Sequence, residues 1–340
     1  MKTIIYTGYT YSGGIIAGLI LRELESVVVP ANIEFRLIKE RFGLLDLEDA
    51  LFNNSDPEVI DLAIKDFLWL ASNFARPTGR FKKVGFGYNQ LSNGSFFNET
   101  LKYIELITDH KYYSSWHFYD FKKSLIETVF WRSLRKITNN YRYGREESYF
   151  AYPNYKDFIE ATRKYVEVII DEILKNNNKI NSKVIALPKA VNPFRYSQVV
   201  KTLNYFNNCK VLIVDRNPKD VFLELVRSGK ERYLINSKKP VSIANSFITF
   251  YKSLRSEQTQ IGDHSNVLLL KFEDLCLNYK DSLNIIYDFL GISSDEHIKK
   301  GSFFKPEESK KNIALWQTET FDKKTELVLE IIEEQLGENI

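Results

Sequence analysis

Four consecutive apolar residues, Val211-Leu212-Ile213-Val214, run directly into Asp215-Arg216-Asn217-Pro218-Lys219-Asp220, and no other stretch constrains the chain as much. An apolar run of this length reads as a strand buried on both faces, as strands of parallel sheets are. Pro218 suits the first turn of a helix, and Asp220 puts a negative charge where the helix dipole favours one. Lys210 to Arg227 is therefore strand, turn and helix. Arg216 falls at the carboxyl end of the strand, where open α/β sheets bind their ligands. A guanidinium fixed there suits a phosphate; a surface arginine capping a loop is the plainer alternative.

The same alternation recurs along the chain. Thr3–Thr7 predicts a buried strand, Gly8 to Gly14 a glycine-rich turn, and Ile15–Leu24 a helix. Lys183–Ala190 and Val267–Phe272 predict two more strands. Helices are expected over Phe194–Tyr205, Ser242–Ser256, Asp281–Leu290 with Gly291 as its cap, and Thr318–Leu336. Strands alternating with helices imply right-handed crossovers and a parallel sheet. The first turn can hold an anion on backbone N–H groups, although the Gly-Lys-Ser/Thr ending of a Walker A loop is missing. Asn32–Ile38 alternates Ile33, Phe35 and Leu37 against Glu34 and Arg36, which predicts a strand carrying both charges on one face. Residues 46–180 show helical periodicity over Asp56–Phe74, Phe97–Thr108, Phe121–Ile137 and Tyr155–Leu174, with aromatic and basic loops at 111–117 and 141–145.

With 47 basic and 44 acidic residues, the formal charge of +3 is too balanced to imply nucleic acid. The two cysteines, Cys209 and Cys276, border apolar strands and read as buried free thiols rather than a disulfide or zinc frame; the four histidines make no metal pattern. The chain enters its first strand without a leader, and no window approaches the ~18 apolar residues of a membrane span. A cytoplasmic location is expected.

Arg216-Asn217-Pro218-Lys219-Asp220 after a buried strand resembles the 3′-phosphate-binding segment of sulfotransferases that use 3′-phosphoadenosine 5′-phosphosulfate (PAPS). Three further segments fall in the same order as in that family. They are the loop Tyr11-Ser12-Gly13-Gly14-Ile15, the Glu34-x-Arg36 pair, and Lys271-Phe272-Glu273-Asp274-Leu275 with Phe289-Leu290-Gly291-Ile292. The resemblance implies in-line transfer of a sulfuryl group to an acceptor hydroxyl, with PAPS as donor, adenosine 3′,5′-bisphosphate as product, and no metal. It implies Arg216 on the 3′-phosphate and residues 11–15 around the 5′-phosphosulfate. Lys189 would stand at the leaving oxygen, Glu34 would be the catalytic base and Arg36 would hold substrate. Lys310 and Asn312 would lie in a basic loop, Ser309 to Trp316, closing over the nucleotide. Two departures stand out. Glu224 occupies the place of a family serine, leaving Ser228 as its substitute, and the first loop lacks the usual basic residue and both threonines.

The expected architecture is an α/β, P-loop-like parallel sheet flanked by helices, built from residues 1–45 and 181–340. Residues 46–180 would form a large helical insertion that covers the active site and selects the acceptor. A bacterial surface glycan or glycolipid precursor is the implied acceptor, with no nucleic acid partner; peripheral membrane association and oligomeric state are left open. Two other readings remain: an ATP-dependent kinase-like phosphotransferase and a catalytically silent nucleotide- or glycan-binding protein. His117 is the next candidate base.

Overall fold

The computed structural model describes residues 2–30, 34–78, 85–176, 184–229 and 239–337. The chain divides into two compact units, one made of residues 1–38 and 177–340 and the other of residues 39–176. The first unit opens with β1 (Lys2–Thr7), α1 (Gly14–Arg22) and β2 (Val27–Val28). The second contains α2 (Leu44–Asn53), α3 (Pro57–Ala75), α4 (Tyr88–Leu91), α5 (Phe96–Ile107), β3 (His110–Ser114), α6 (His117–Phe121), α7 (Leu125–Thr138), β4 (Glu146–Phe150) and α8 (Tyr155–Asn176). The chain then re-enters the first unit with β5 (Val184–Pro188), α9 (Tyr196–Asn204), β6 (Cys209–Asp215), α10 (Pro218–Arg227), α11 (Pro240–Leu254), α12 (Gln258–Gly262) and β7 (Val267–Lys271). It closes with α13 (Phe272–Leu277), α14 (Tyr279–Leu290), α15 (Pro306–Ser309), α16 (Leu315–Thr318) and α17 (Lys323–Leu336).

The first unit is a five-stranded, all-parallel sheet in the order β2-β5-β1-β6-β7, so β1 is central and β5 and β6 flank it. Val211 to Val214 are fully buried, as a strand covered on both faces requires. One face of the sheet, through Ile4, Leu212, Val214 and Leu270, packs on Ile16 and Ile20 of α1 and on α13 and α14. A second apolar cluster joins α10 and α11 to α17. Below the sheet, fully buried Glu23 accepts the Phe303 and Phe304 N–H groups at 2.7 and 2.8 Å and meets His297 Nε2 at 2.7 Å. Burial raises the Glu23 carboxyl, but these donors outweigh it and the net shift is downward. Both cysteines are buried and free. This is the P-loop-like parallel sheet flanked by helices that the sequence predicts.

In the second unit, helices α3, α5 and α8 pack through Phe67, Tyr103 and Tyr165, the two tyrosine rings stacked at 4.6 Å. Buried Asp61 of α3 accepts from Tyr119 Oη at 2.7 Å and from the Tyr149 N–H at 2.9 Å, fixing α6 and β4 to the helices. β3 and β4 form an antiparallel pair that the sequence does not announce, because α6 and α7 separate them. The periodicity over Phe121–Ile137 breaks at Lys122–Ser124, since Ser124 starts α7 with a capping box to Glu127.

Two expected elements differ. Thr318–Leu336 is not one helix: Thr318 ends α16, Glu319 is extended (φ −121, ψ 154), and α17 starts at Lys323 behind the Asp322 cap. Residues 34–38 are not a strand: 36–39 form turns, and the Arg36 N–H bonds back to the Glu34 carbonyl at 2.9 Å. The sheet edge beside β5 is taken by β2, and the Phe35 N–H donates to the Pro188 carbonyl of β5 at 2.8 Å. Phe35, Leu37 and Ile38 are all fully buried, so the apolar alternation marks anchoring side chains rather than a pleat. Asn32 and Ile33 lie outside the described residues. Among the described residues, no helix is long and apolar enough to cross a membrane.

Candidate functional site

The carboxyl end of the sheet gathers two groups of side chains, one on each side of β1. The loop between β1 and α1 lies between them. Tyr11 (φ 66) and Gly13 (φ 86) adopt left-handed backbone, and Gly13 caps α1 without any side-chain hydrogen bond. A Cβ at Gly14 would fall 2.7 Å from the Gly8 nitrogen; one at Gly13 would fall 2.6 Å from the Phe272 ring. The turn is therefore tight by necessity, and the first N–H groups of α1 carry no side-chain cap, the arrangement that receives an anion. Ser12 points the other way. Its fully buried hydroxyl lies 2.8 Å from both the Tyr9 and Val214 carbonyls, tying the loop to β6. Ile15, in the place of a family threonine, is exposed.

On the β6 side, Arg216 follows the strand as its motif predicts, but it is buried rather than lining an open crevice. Its Nη1 donates to the Tyr11 carbonyl at 3.3 Å and its Nη2 to the Asn312 carbonyl, while the guanidinium lies over the Phe272 ring at 4.8 Å. Asp220 and Glu224, on α10, approach it to 3.8 and 3.9 Å. Burial lowers the Arg216 pKa while these carboxylates raise it, with a net downward shift. Arg216 Nε is buried without a hydrogen-bond partner among the described residues. The Asp220 Oδ2 that it faces at 3.8 Å offsets its charge but is too far for a hydrogen bond. Asn217 caps α10 by accepting the Lys219 N–H at 2.9 Å, and its own N–H is held by Glu273 Oε1 at 2.9 Å, so Glu273 serves the fold. Asp220 accepts the Ala314 and Leu315 N–H groups at 3.1 and 2.9 Å, fastening the C-terminal loop to α10. Lys310 pairs with Glu307 at 2.6 Å, and Trp316 lies beneath Lys219 Nζ at 3.9 Å. Ser228 caps the far end of α10 and donates to the Leu225 carbonyl, while Glu224 takes the place beside Arg216.

On the β5 side, Lys189 (φ 57) follows the strand and donates its N–H to the Tyr6 carbonyl at 2.9 Å. Lys189 Nζ is ion-paired to Glu34 Oε1, and Arg36 Nη1 lies 3.2 Å from Glu34 Oε2. The structure thus unites all three residues through the Phe35 anchor, with Glu34 and Arg36 half-buried and Lys189 exposed. Burial raises the Glu34 carboxyl, but the Lys189 and Arg36 contacts outweigh it and hold it below the ordinary glutamate range. His117, in the second unit, stacks on Phe121.

One pair escapes sequence reasoning. Arg255, the C-cap of α11, grips Asp215 at the end of β6 with Nε and Nη2, at 2.9 and 2.5 Å, and stacks on Tyr251 at 3.5 Å. Tyr9, beside it, donates to the Leu254 carbonyl at 3.0 Å. The pair braces the first loop from behind. Asp215 sits in the motif, but nothing local marks Arg255, which lies forty residues away. Among the described residues, no group of His, Cys, Asp and Glu could hold a metal ion.

A glycine turn on a helix start at the central strand of a parallel sheet defines the class as P-loop-like α/β. The sulfotransferase-domain family model matches residues 130–330, more than half of the chain, and the protein belongs to that family, whose members transfer sulfuryl groups. Lys189, Arg216, Ser228, Lys310 and Asn312 lie inside the match; the first loop, Glu34 and Arg36 precede it. No curated protein matches the sequence. Among solved structures, it is similar to the sulfotransferase domain of the Synechococcus PCC 7002 olefin synthase, at 12% identity and TM-score 0.44, over 100% of this chain and 95% of that one. The sulfotransferase domain of the curacin biosynthetic pathway gives 12% and 0.44 over 99% and 97%. Sulfotransferase STF1 of Mycobacterium tuberculosis H37Rv gives 12% and 0.33 over 92% and 76%. Likenesses this distant add nothing to the site.

Proposed function

We propose that the protein transfers the sulfuryl group of PAPS to a hydroxyl of a glycan or glycolipid precursor in the bacterial cytoplasm. The observation that carries this reading is buried Arg216, whose Nε makes no hydrogen bond among the described residues and stands 3.8 Å from Asp220, one ring away from the uncapped glycine turn of α1. Together they supply a cation and backbone N–H groups for a nucleotide phosphorylated at two places. PAPS, when bound, supplies the sulfuryl group and a good leaving group. The 11–15 turn would hold its 5′ end and Arg216 its 3′-phosphate, with Asn312 and Lys310 in the loop above. Lys189 would offset charge on the departing oxygen. Glu34, kept ionised by Lys189 and Arg36, can take the acceptor proton directly or through one water. We assign acceptor selection to the helical insertion, residues 46–180, whose aromatic and basic loops suit sugars. Two buried free thiols fit a reducing compartment.

The first loop, which lacks the usual basic residue and both threonines, favours a second reading, a nucleotide-binding protein without turnover. Calorimetry decides the ligand: adenosine 3′,5′-bisphosphate should bind at least tenfold more tightly than ADP, and the reverse order would sink the assignment. Product formation from PAPS with a hydroxyl acceptor then separates transfer from binding.

A further inference from the structure

α7 is 14 residues long and buries none of them. A helix of that length is marginal alone in water, because most helical stability comes from packing an apolar face. Its ends are secured by the Ser124–Glu127 capping box and by Asn139 in the left-handed conformation. One side rests on the turn that follows: a Cβ at Gly144 (φ 68) would fall 2.4 Å from the Trp131 indole. Arg135 Nη1 also donates to the Tyr143 carbonyl at 2.7 Å. The opposite side is bare. Ile126, Val129, Phe130 and Ile137 fall on a stripe about 100° wide, extended by Phe121 and Leu125. Exposure of these six side chains runs from 55% at Phe130 to 83% at Phe121.

Charge singles out the same segment. Residues 121–145 carry seven basic residues against one acid, Glu127; with the flanking Asp120, paired to Lys123 at 2.9 Å, and Glu146 and Glu147, residues 120–147 keep a net of +3, equal to that of the whole chain. Arg132 and Lys136 follow Val129 by three and seven residues and so line one edge of the stripe. Their aliphatic stems can lie along apolar surface while their charges reach outward. The guanidinium groups of Arg142 and Arg145 lie over the Tyr141 ring, at 6.0 and 5.6 Å.

We propose that α7, with Phe121 and the 140–145 turn, docks on an anionic lipid surface and lies within its headgroup region. The apolar stripe gives a reason to leave water, and the basic margin selects anionic phosphates. A second copy of the chain is a poor occupant, since each face would present the same excess of positive charge to the other. The proposal stands independently of donor and acceptor.

Sedimentation of the full chain with vesicles tests it. The protein should pellet with equal parts phosphatidylcholine and phosphatidylglycerol, remain in solution with phosphatidylcholine alone, and be released by salt. Ile126→Glu with Phe130→Glu should abolish pelleting, and Ile137→Ser, a milder change, should weaken it. Arg132→Ala with Lys136→Ala should weaken it about thirtyfold, at roughly fivefold per basic residue. Unchanged thermal melting, expected because none of these side chains is buried, separates lost docking from lost fold. Wild-type protein that ignores anionic vesicles overturns the proposal, as does equal binding of the Glu variant. A concentration-dependent dimer broken by Phe130→Glu, without vesicle binding, assigns the face to self-association and overturns it too.

Discussion

Glu224→Ser restores a hydroxyl where the family places one, and the geometry sets the size of its effect. The Glu224 carboxylate stands 3.9 Å from Arg216 Nη2 and 3.3 Å from Arg227 Nη1. A phosphate oxygen bonded to Arg216 would come within about 5 Å of that carboxylate, where two unit charges at an effective dielectric of about 20 repel by roughly 3 kcal/mol. Partial screening by Arg227 and solvent reduces this, so the substitution should tighten adenosine 3′,5′-bisphosphate by about 1.4–2.7 kcal/mol, or ~10- to 100-fold. The exposed contact to Arg227 is worth at most about 1 kcal/mol, so the fold should tolerate the change. Calorimetry with adenosine 3′,5′-bisphosphate and with adenosine 5′-phosphate reads the outcome. The gain must be confined to the nucleotide carrying the 3′-phosphate. Equal gain for both, or none, would refute the placement of that phosphate at Arg216.

Gly13→Val should abolish nucleotide binding, because the side chain meets Phe272 and strains a φ of 86, whereas Ser12→Ala should cost ~1 kcal/mol of stability through a lost buried hydrogen bond and leave affinity nearly intact; paired melting and calorimetry check both. Glu34→Gln should slow transfer about 10²–10⁴-fold with nucleotide affinity unchanged. Because Lys189 and Arg36 overcome burial and depress the Glu34 pKa, activity should hold as pH falls and drop only below the ordinary glutamate range; Lys189→Met should move that acid limb upward, and an unmoved limb would detach Glu34 from it. Glu23, likewise depressed in the fold, should contribute stability that is full above its unfolded value near 4.5 and lost as pH falls through the folded one. Denaturant titrations across pH should show that loss in wild type and not in Glu23→Gln, which should be less stable by about 2–3 kcal/mol at neutral pH.

What was legible in the sequence was whatever local pattern determines. The run Val211–Val214, with Pro218 behind it, specified β6 and α10 because a doubly covered strand and an N1 proline leave few alternatives. Glu34 and Arg36 were found as neighbours but for a mistaken reason: they meet through a turn, not a pleat. Asp220 was legible as a charge at a helix start. That it also accepts two N–H groups from the 314–315 backbone, 94 and 95 residues away, is a fact of tertiary closure. The same holds for Arg255 on Asp215, and for β3 with β4, whose pairing spans two helices. The burial of Arg216 belongs here too, since it follows from the 312 carbonyl and Phe272 closing over it.

The central strand of the sheet has a consequence for synthesis. β1 occupies residues 2–7, yet its two neighbours begin at residues 184 and 209. At about 5–20 residues per second, roughly ten to thirty-five seconds pass on the ribosome between the emergence of β1 and that of its first partner. For that interval Thr3 to Thr7, buried throughout in the finished protein, has no ladder to join. A nascent apolar strand with both edges open is a substrate for chaperones and for mispairing with other chains. Yield in the cell should therefore depend on elongation rate and holdase supply more steeply than the stability of the finished fold would suggest.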